Sequence, residues 1–411
     1  MSLLAKHSMV KEDRSNIVTL GSIAKSAKLK DKDVINATIG MLYDEEGKLF
    51  TFDSVNKVLE GLSAEEKFAY PSTPGNPEYH EALKRWIFRQ YYDEILSTMY
   101  CSVMATPGGS GAISNTFSNY LNPKDCVLLP EYMWPNYEQL AYENFASYET
   151  YKMFDKDHLN LVDIKSKILE LKHKQNRIVL VINDPCHNPT GYSMKYEEWV
   201  ELIDFINEVT KDNTPFILLY DMAYIDYDQR GFNATRKNIL LFSKLNPSVL
   251  TVLAFSGSKT MALYGLRIGA QIALGKDKMA VDEFYQANKF SSRAKWSMTT
   301  NLGMNLIAKV ILNDATRMTF EEELKESSRM LSKRADAFLE ECRKYDIKTL
   351  PFTCGFFITI PCEDPLLIYN RMIQKKIHII PLDHAIRITI AAISLEECRM
   401  IPKAISECLE K

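Results

Sequence analysis

A lysine stands directly after an apolar run in Ser256-Gly257-Ser258-Lys259-Thr260-Met261-Ala262-Leu263-Tyr264-Gly265-Leu266-Arg267. An ammonium behind a buried strand loses hydration, which is costly. Desolvation lowers the pKa of a lysine, and a neutral amine is the form that attacks an aldehyde. The serines before Lys259 and the arginine after it offer hydroxyls and a planar fork suited to a phosphate. Taken alone, the segment reads equally well as a surface loop with an incidental lysine.

Tyr220-Asp221-Met222-Ala223-Tyr224 closes another apolar run. A carboxylate at the carboxyl end of a strand in an open α/β sheet points into the ligand crevice. Facing a pyridine nitrogen, Asp221 would keep it protonated, and a pyridinium is an electron sink. Tyr224 would reach a phenolate oxygen on the same ring. The plainer alternative is an aspartate capping the next helix.

Thr106-Pro107-Gly108-Gly109-Ser110-Gly111-Ala112-Ile113 is a glycine-rich turn between a strand and a helical run. Backbone N–H groups at a helix start, with the positive dipole end, make an anion site. Ser114 occupies the place of the last glycine of GxGxxG, and GKS and GKT are absent, so a dinucleotide or P-loop reading is not supported. In Asn183-Asp184-Pro185-Cys186-His187-Asn188-Pro189-Thr190-Gly191 the prolines and glycine stiffen a turn that can hold Asn188 in one place. Cys186 and His187 are neighbours in extended chain, whose side chains point apart, which argues against a thiol–imidazole dyad.

These residues need elements to position them. Apolar runs at Cys101–Thr106, Cys126–Pro130, Ile178–Asn183, Phe216–Asp221, Leu250–Phe255 and Ala270–Leu274 alternate with helical stretches. Near-continuous hydrophobicity suits strands covered on both faces, hence an α/β core with a mainly parallel sheet. After Asn313 the pattern changes. Thr319 with Glu322 reads as a capping box opening an amphipathic helix through Phe320, Leu324, Leu331, Ala335, Phe338 and Cys342. Strands at Gly355–Ile360 and Ala385–Ile390 and a helix near Leu395–Leu409 follow. The chain divides into a large domain over 50–312 and a small α+β domain made from 1–49 and 313–411.

Bulk properties narrow the partners. The 411 residues are 46% hydrophobic and 25% charged, with net charge −3, an ordinary globular balance that calls for neither nucleic acid nor anionic membrane. No run is long and apolar enough for a bilayer, and the opening MSLLAKHSMVKEDRSN is too short in its apolar part for a secretory signal. A cytoplasmic chain is expected. The eight cysteines form no CxxC pair and the seven histidines no HxxxH, so no metal site is expected.

Together the segments resemble the fold-type I pyridoxal-5′-phosphate (PLP) aminotransferases of class I/II, in their aspartate and aromatic branch. The resemblance rests on the order of the glycine–serine loop, an aromatic in Glu131-Tyr132-Met133-Trp134-Pro135-Asn136-Tyr137, NPTG, DxxY, SxSK with its following arginine, and a late arginine. It spans about Asn36 to Arg387 and implies a seven-stranded, mainly parallel sheet in a large PLP domain. It implies that Lys259 is the Schiff-base lysine and the acid/base at the substrate α-carbon. Asp221 and Tyr224 would partner the ring nitrogen and ring oxygen, Asn188 the same oxygen, and Trp134 the ring face. Gly109, Ser110, Ser256, Ser258 and Arg267 would form the phosphate cup. Arg387 would clamp the substrate α-carboxylate, with Asn188 and the Gly40 backbone beside it. The resemblance also implies a homodimer with shared sites: Tyr70 resembles the tyrosine that reaches the neighbouring subunit's phosphate. Arg293 resembles the arginine that meets a substrate side-chain carboxylate.

The sequence departs from the pattern in two places. Ala262 stands where the family usually has glycine, which a helical backbone would tolerate. Met298-Thr299-Thr300-Asn301 replaces the usual asparagine–proline stretch, which weakens the match of Arg293. The expected reaction is amino-group transfer from an L-amino acid to a 2-oxo acid in two half-reactions through pyridoxamine phosphate. The alternatives are a carbon–sulfur β-lyase on the same scaffold and a regulator that keeps PLP as a ligand.

Overall fold

A computed structural model describes residues 3–9, 11 and 17–409. The opening segment that bears on a secretory leader falls partly outside them.

Each apolar run read as a strand is one. The strands are β1 (Tyr100–Thr106), β2 (Cys126–Pro130), β3 (Ser147–Tyr151), β4 (Ile178–Asn183), β5 (Phe216–Asp221), β6 (Val249–Ser256) and β7 (Gly269–Gly275), in one seven-stranded sheet of order β1-β7-β6-β5-β4-β2-β3. Only β7 runs against its neighbours. Every residue of β4, β5, β6 and β7 is buried, which is why these strands read as unbroken apolar runs. β3 carries no such signal because Ser147-Tyr148-Glu149-Thr150-Tyr151 lies at the sheet edge and is largely half-exposed, so polar residues suit it.

Helices cover both faces. The ones that matter for the site are α1 (Gly108–Tyr120), α2 (Lys278–Lys295), α3 (Asn301–Leu312), α4 (Asp314–Lys344) and α5 (Leu395–Leu409). The Thr319–Glu322 capping box is not formed. Asn313 caps α4 instead, its side chain accepting from Thr316 N, and Thr319 lies inside the helix with its hydroxyl donating to Ala315 O. An asparagine a turn and a half upstream claimed the cap first.

A second apolar core, separate from those flanking the large sheet, gathers Ile35 and Ala37 with residues from the C-terminal third, among them Phe338, Ile358, Ile386, Ile388, Ile401 and Ile405. Its sheet holds β8 (Phe357–Pro361), β9 (Ile380–Pro381) and β10 (Ala385–Thr389), in order β8-β10-β9. β8 begins later than expected because Gly355 has φ 108, and a Cβ there would meet the Cβ of Cys186 at 2.6 Å. The parallel pair Ile35–Asn36 with Ile377–His378 ties the N-terminal stretch to this core.

Candidate active site

The sheet order brings the carboxyl ends of β1, β4, β5 and β6 together, and the chemistry hangs from them. Asn183 pairs in register with Asp221, and Asp221 with Ala254, two residues before β6 ends at Ser256. A cavity of about 260 Å³ opens there, lined among others by Gly40, Gly109, Ser110, Trp134, Asn188, Asp221, Tyr224, Ser256, Ser258, Lys259, Arg267 and Arg387. Residues from distant stretches of sequence thus share one enclosure.

Lys259 sits in a single helical turn, Gly257–Thr260, directly after β6. Its ammonium is bonded to Gly40 O and faces the rings of Tyr224, Tyr264 and Phe356 at 5.4, 5.1 and 5.7 Å. Burial, reinforced by the Arg387 and Arg267 cations, brings its pKa down to about 7, with Asp221 acting the other way. A large share of the amine is therefore neutral at neutral pH.

Asp221 is buried at the end of β5. Burial raises its carboxyl to about 6, against the hydrogen bonds from the Tyr137 hydroxyl at 2.5 Å and from Ala223 N at 3.2 Å and the Lys259 charge. Tyr224 packs edge-on against Phe356 and Phe357, and burial keeps its phenol protonated far above the usual range. It remains a donor at any working pH.

The anion end is built from backbone. α1 follows Pro107 with no side-chain cap, so its first N–H groups are left for a ligand. Arg267 lies across this end, donating to Ser258 Oγ and Tyr264 O at 3.0 Å. Gly108 has φ 70, and a Cβ there would come within 2.7 Å of Arg267 Nη2, so only glycine lets the guanidinium approach.

At the opposite wall Arg387, on β10, donates through Nη1 to Asn188 Oδ1 at 3.1 Å and through Nη2 to Thr38 O at 2.8 Å. Phe357 lies 4.6 Å from its guanidinium carbon. Its Nε is buried without a hydrogen-bond partner. Asn188 is itself fixed by its N–H to Asn183 Oδ1 at 2.8 Å, and Asn183 Nδ2 donates to Asp221 O.

Tyr70 and Arg293 are not brought to this cavity. Tyr70 is 92% exposed, and Arg293, in the last turn of α2, is exposed and donates to Ser297 Oγ. Ala262 is not helical: its φ of 53 lies in the left-handed region, where the usual glycine would be unstrained. Cys186 and His187 turn to different partners, the thiol to Cys354 Sγ at 3.2 Å and the imidazole to Thr190 Oγ1 at 2.9 Å. Sequence reading assigned nothing to Tyr137, Tyr264, Ile17, Met41 or Phe357, all of which line or support the site.

Residues 32–405 match the family model described as aminotransferase class I and II. The chain belongs to that family. Among solved structures, this aminotransferase is similar to an aminotransferase from Anaerococcus prevotii, with 29% identity, a TM-score of 0.95 and full coverage of both chains. It is 27% identical to the aspartate aminotransferase of Salmonella typhi over 74% of this chain and 75% of that one. It is 24% identical to the aromatic-amino-acid aminotransferase of Escherichia coli over 78% and 79%. These findings favour group transfer over the lyase and regulator readings. The cofactor is pyridoxal phosphate, and the chain's own residues fit it: an uncapped helix start with Arg267 for a phosphate, Asp221 for a ring nitrogen, and a desolvated lysine between them. No helix among the described residues is long and apolar enough to cross a membrane.

Proposed function

We propose that this aminotransferase moves the amino group of aspartate or an aromatic L-amino acid to a 2-oxo acid, one partner of the reaction being a dicarboxylate. The observation that carries the reading is the enclosure of a near-neutral Lys259, the Asp221 carboxylate and the Arg387–Asn188 pair in one cavity. The names of the aspartate and aromatic relatives support the substrate choice.

When bound, pyridoxal phosphate supplies the electron sink that stabilises a carbanion at the substrate α-carbon. Gly109, Ser110, Ser256, Ser258 and Arg267 would hold the phosphate, and Trp134 would cover the ring face. Asp221 would hold a proton at the ring nitrogen, while Tyr224 and Asn188 would donate to the ring oxygen. Arg387 would grip the substrate α-carboxylate through its guanidinium, beside the Gly40 backbone. That grip orients the α-C–H towards Lys259, whose neutral amine takes the proton and returns it.

Tyr70 and Arg293 are exposed and do not line their own chain's cavity, which suits a homodimer in which Tyr70 serves the neighbouring phosphate and Arg293 a substrate side-chain carboxylate. Residues 50–312 form the cofactor domain in this reading, and 1–49 with 313–411 the small domain that carries Arg387. The chain acts in the cytoplasm on small molecules. The test is a screen of amino donors against 2-oxoglutarate and oxaloacetate, with wild type and Arg293→Ala. Arg293→Ala should lower kcat/KM for a dicarboxylate by roughly ten- to a hundredfold while sparing an uncharged donor of similar size. Equal losses would make Arg293 structural and remove the dicarboxylate from the reading.

A further inference from the structure

The seven residues from Asp221 to Tyr227 do more than present the ring partners. Beyond Tyr224 the same stretch passes beneath the lysine turn and takes hold of it at two points. Tyr227 donates its hydroxyl to Lys259 O at 3.1 Å. Asp226 accepts the Thr260 hydroxyl on Oδ2 at 2.7 Å.

Asp226 is itself held on several sides. Its Oδ2 also accepts from Trp86 Nε1 at 3.1 Å, and its Oδ1 is paired with Arg236, both side chains being wholly shut off from solvent. Arg236 donates in turn to Ile225 O at 3.1 Å, within the same stretch. A buried ion pair is weak evidence for stability, since apolar residues of equal volume commonly do as well. What it supplies is a fixed direction. The turn Gly257–Thr260 has only four residues, too few to hold a helix by itself, so its geometry has to come from outside. Lys259 also carries a flexible four-carbon stem, so where its amine can reach depends on where its backbone is held.

We infer that Asp226, acting through Thr260, and Tyr227, acting through the Lys259 carbonyl, are positioning residues that hold the lysine in register with Asp221. One continuous segment then sets both the electron-sink carboxylate and the backbone that carries the proton-transferring amine. The inference rests on the reading of Lys259 as that amine.

The experiment uses the holoenzyme and compares Thr260→Val, Thr260→Ser and Tyr227→Phe. Asp226 itself is left intact, because replacing it would strand the Arg236 charge in the interior. Borohydride labelling of wild type comes first: if Lys259 is not the lysine labelled, the functional reading fails, independently of this inference. With Lys259 labelled, Thr260→Val should lower kcat roughly tenfold, as loss of a hydrogen bond to a charged group does, with KM for the amino acid nearly unchanged. It should also shift the pH midpoint of the cofactor's visible absorbance. Thr260→Ser, which keeps the hydroxyl, should restore both, and Tyr227→Phe should repeat the pattern more weakly. Wild-type kcat and midpoint in both Thr260→Val and Tyr227→Phe overturn the inference. So does a loss in Thr260→Val that Thr260→Ser fails to rescue.

Discussion

The Tyr137 hydroxyl donates to Asp221 Oδ2 at 2.5 Å, in a pocket where both groups are buried. The bond favours the ionised carboxylate against the burial that drives its pKa up, and so helps keep Asp221 charged at neutral pH. Tyr137→Phe should therefore move Asp221 further towards the neutral acid. The expected result is a fall in kcat of about tenfold or more, on the scale of a hydrogen bond to a charged group. Single-turnover proton abstraction should slow in step while cofactor affinity changes little.

Lys259 offers a direct pH readout. Its pKa of about 7 means that the apoprotein's amine gains a proton as pH falls through neutrality. The rate at which apoprotein captures the cofactor aldehyde should fall about tenfold per pH unit below that point and level off above it. Stopped-flow absorbance measures this. Lys259→Ala should still bind the cofactor through the phosphate cup, fail to fix it with borohydride, and lose transamination by several orders of magnitude.

Asp221 should reveal itself in stability as well as rate. Its folded pKa of about 6 lies above the ordinary 3.8, so the folded apoprotein binds the extra proton between those values. The stability it confers is complete below about pH 4 and is lost as pH rises through 6. Asp221→Asn removes that loss, so above pH 6 the variant apoprotein should be more stable by up to about 3 kcal/mol, at roughly 1.36 kcal/mol per unit. The same variant should slow α-proton abstraction far more than it weakens cofactor binding. Denaturant melts and single turnovers of one preparation check both.

Subunit mixing tests the shared site. Inactive Lys259→Ala protomers mixed with inactive Tyr70→Phe/Arg293→Ala protomers should regain partial activity, because one of the two sites in each hybrid would have all its parts. A stable, fully active monomer in sedimentation would remove Tyr70 and Arg293 from the active site.

The part of the cavity legible from the residues alone lies where apolar strands end. Asp221, Asn183 and Ser256 each end a fully apolar or nearly apolar run, and Lys259 follows one within a few residues. The contact between Tyr137 and Asp221 was not legible, since the partners lie far apart in the chain and nothing local separates a carboxylate-bonded phenol from a core tyrosine. The bracing of Thr260 by Asp226 was hidden for the same reason. Local rules misled where two residues competed for one role, as Asn313 and Thr319 did for the cap of α4. They also misled at Ala262, where the close return of the chain from Lys259 towards Arg267 demands a left-handed residue that no propensity would assign to alanine.

The long helix α4 carries a consequence for how the molecule comes apart. Its 31 residues, roughly 46 Å of rod, place Phe320, Leu324 and Leu331 in the core beside the large sheet and Ala335, Phe338 and Cys342 in the second core. Between these sets Arg334, fully buried, is clasped by Glu45 and by the carbonyls of Tyr43 and Ala391. Neither core can melt without stripping apolar contacts from a rod the other still grips, and the clasp sits where the rod would have to break. The two cores are thermodynamically coupled and should be lost together in one cooperative transition.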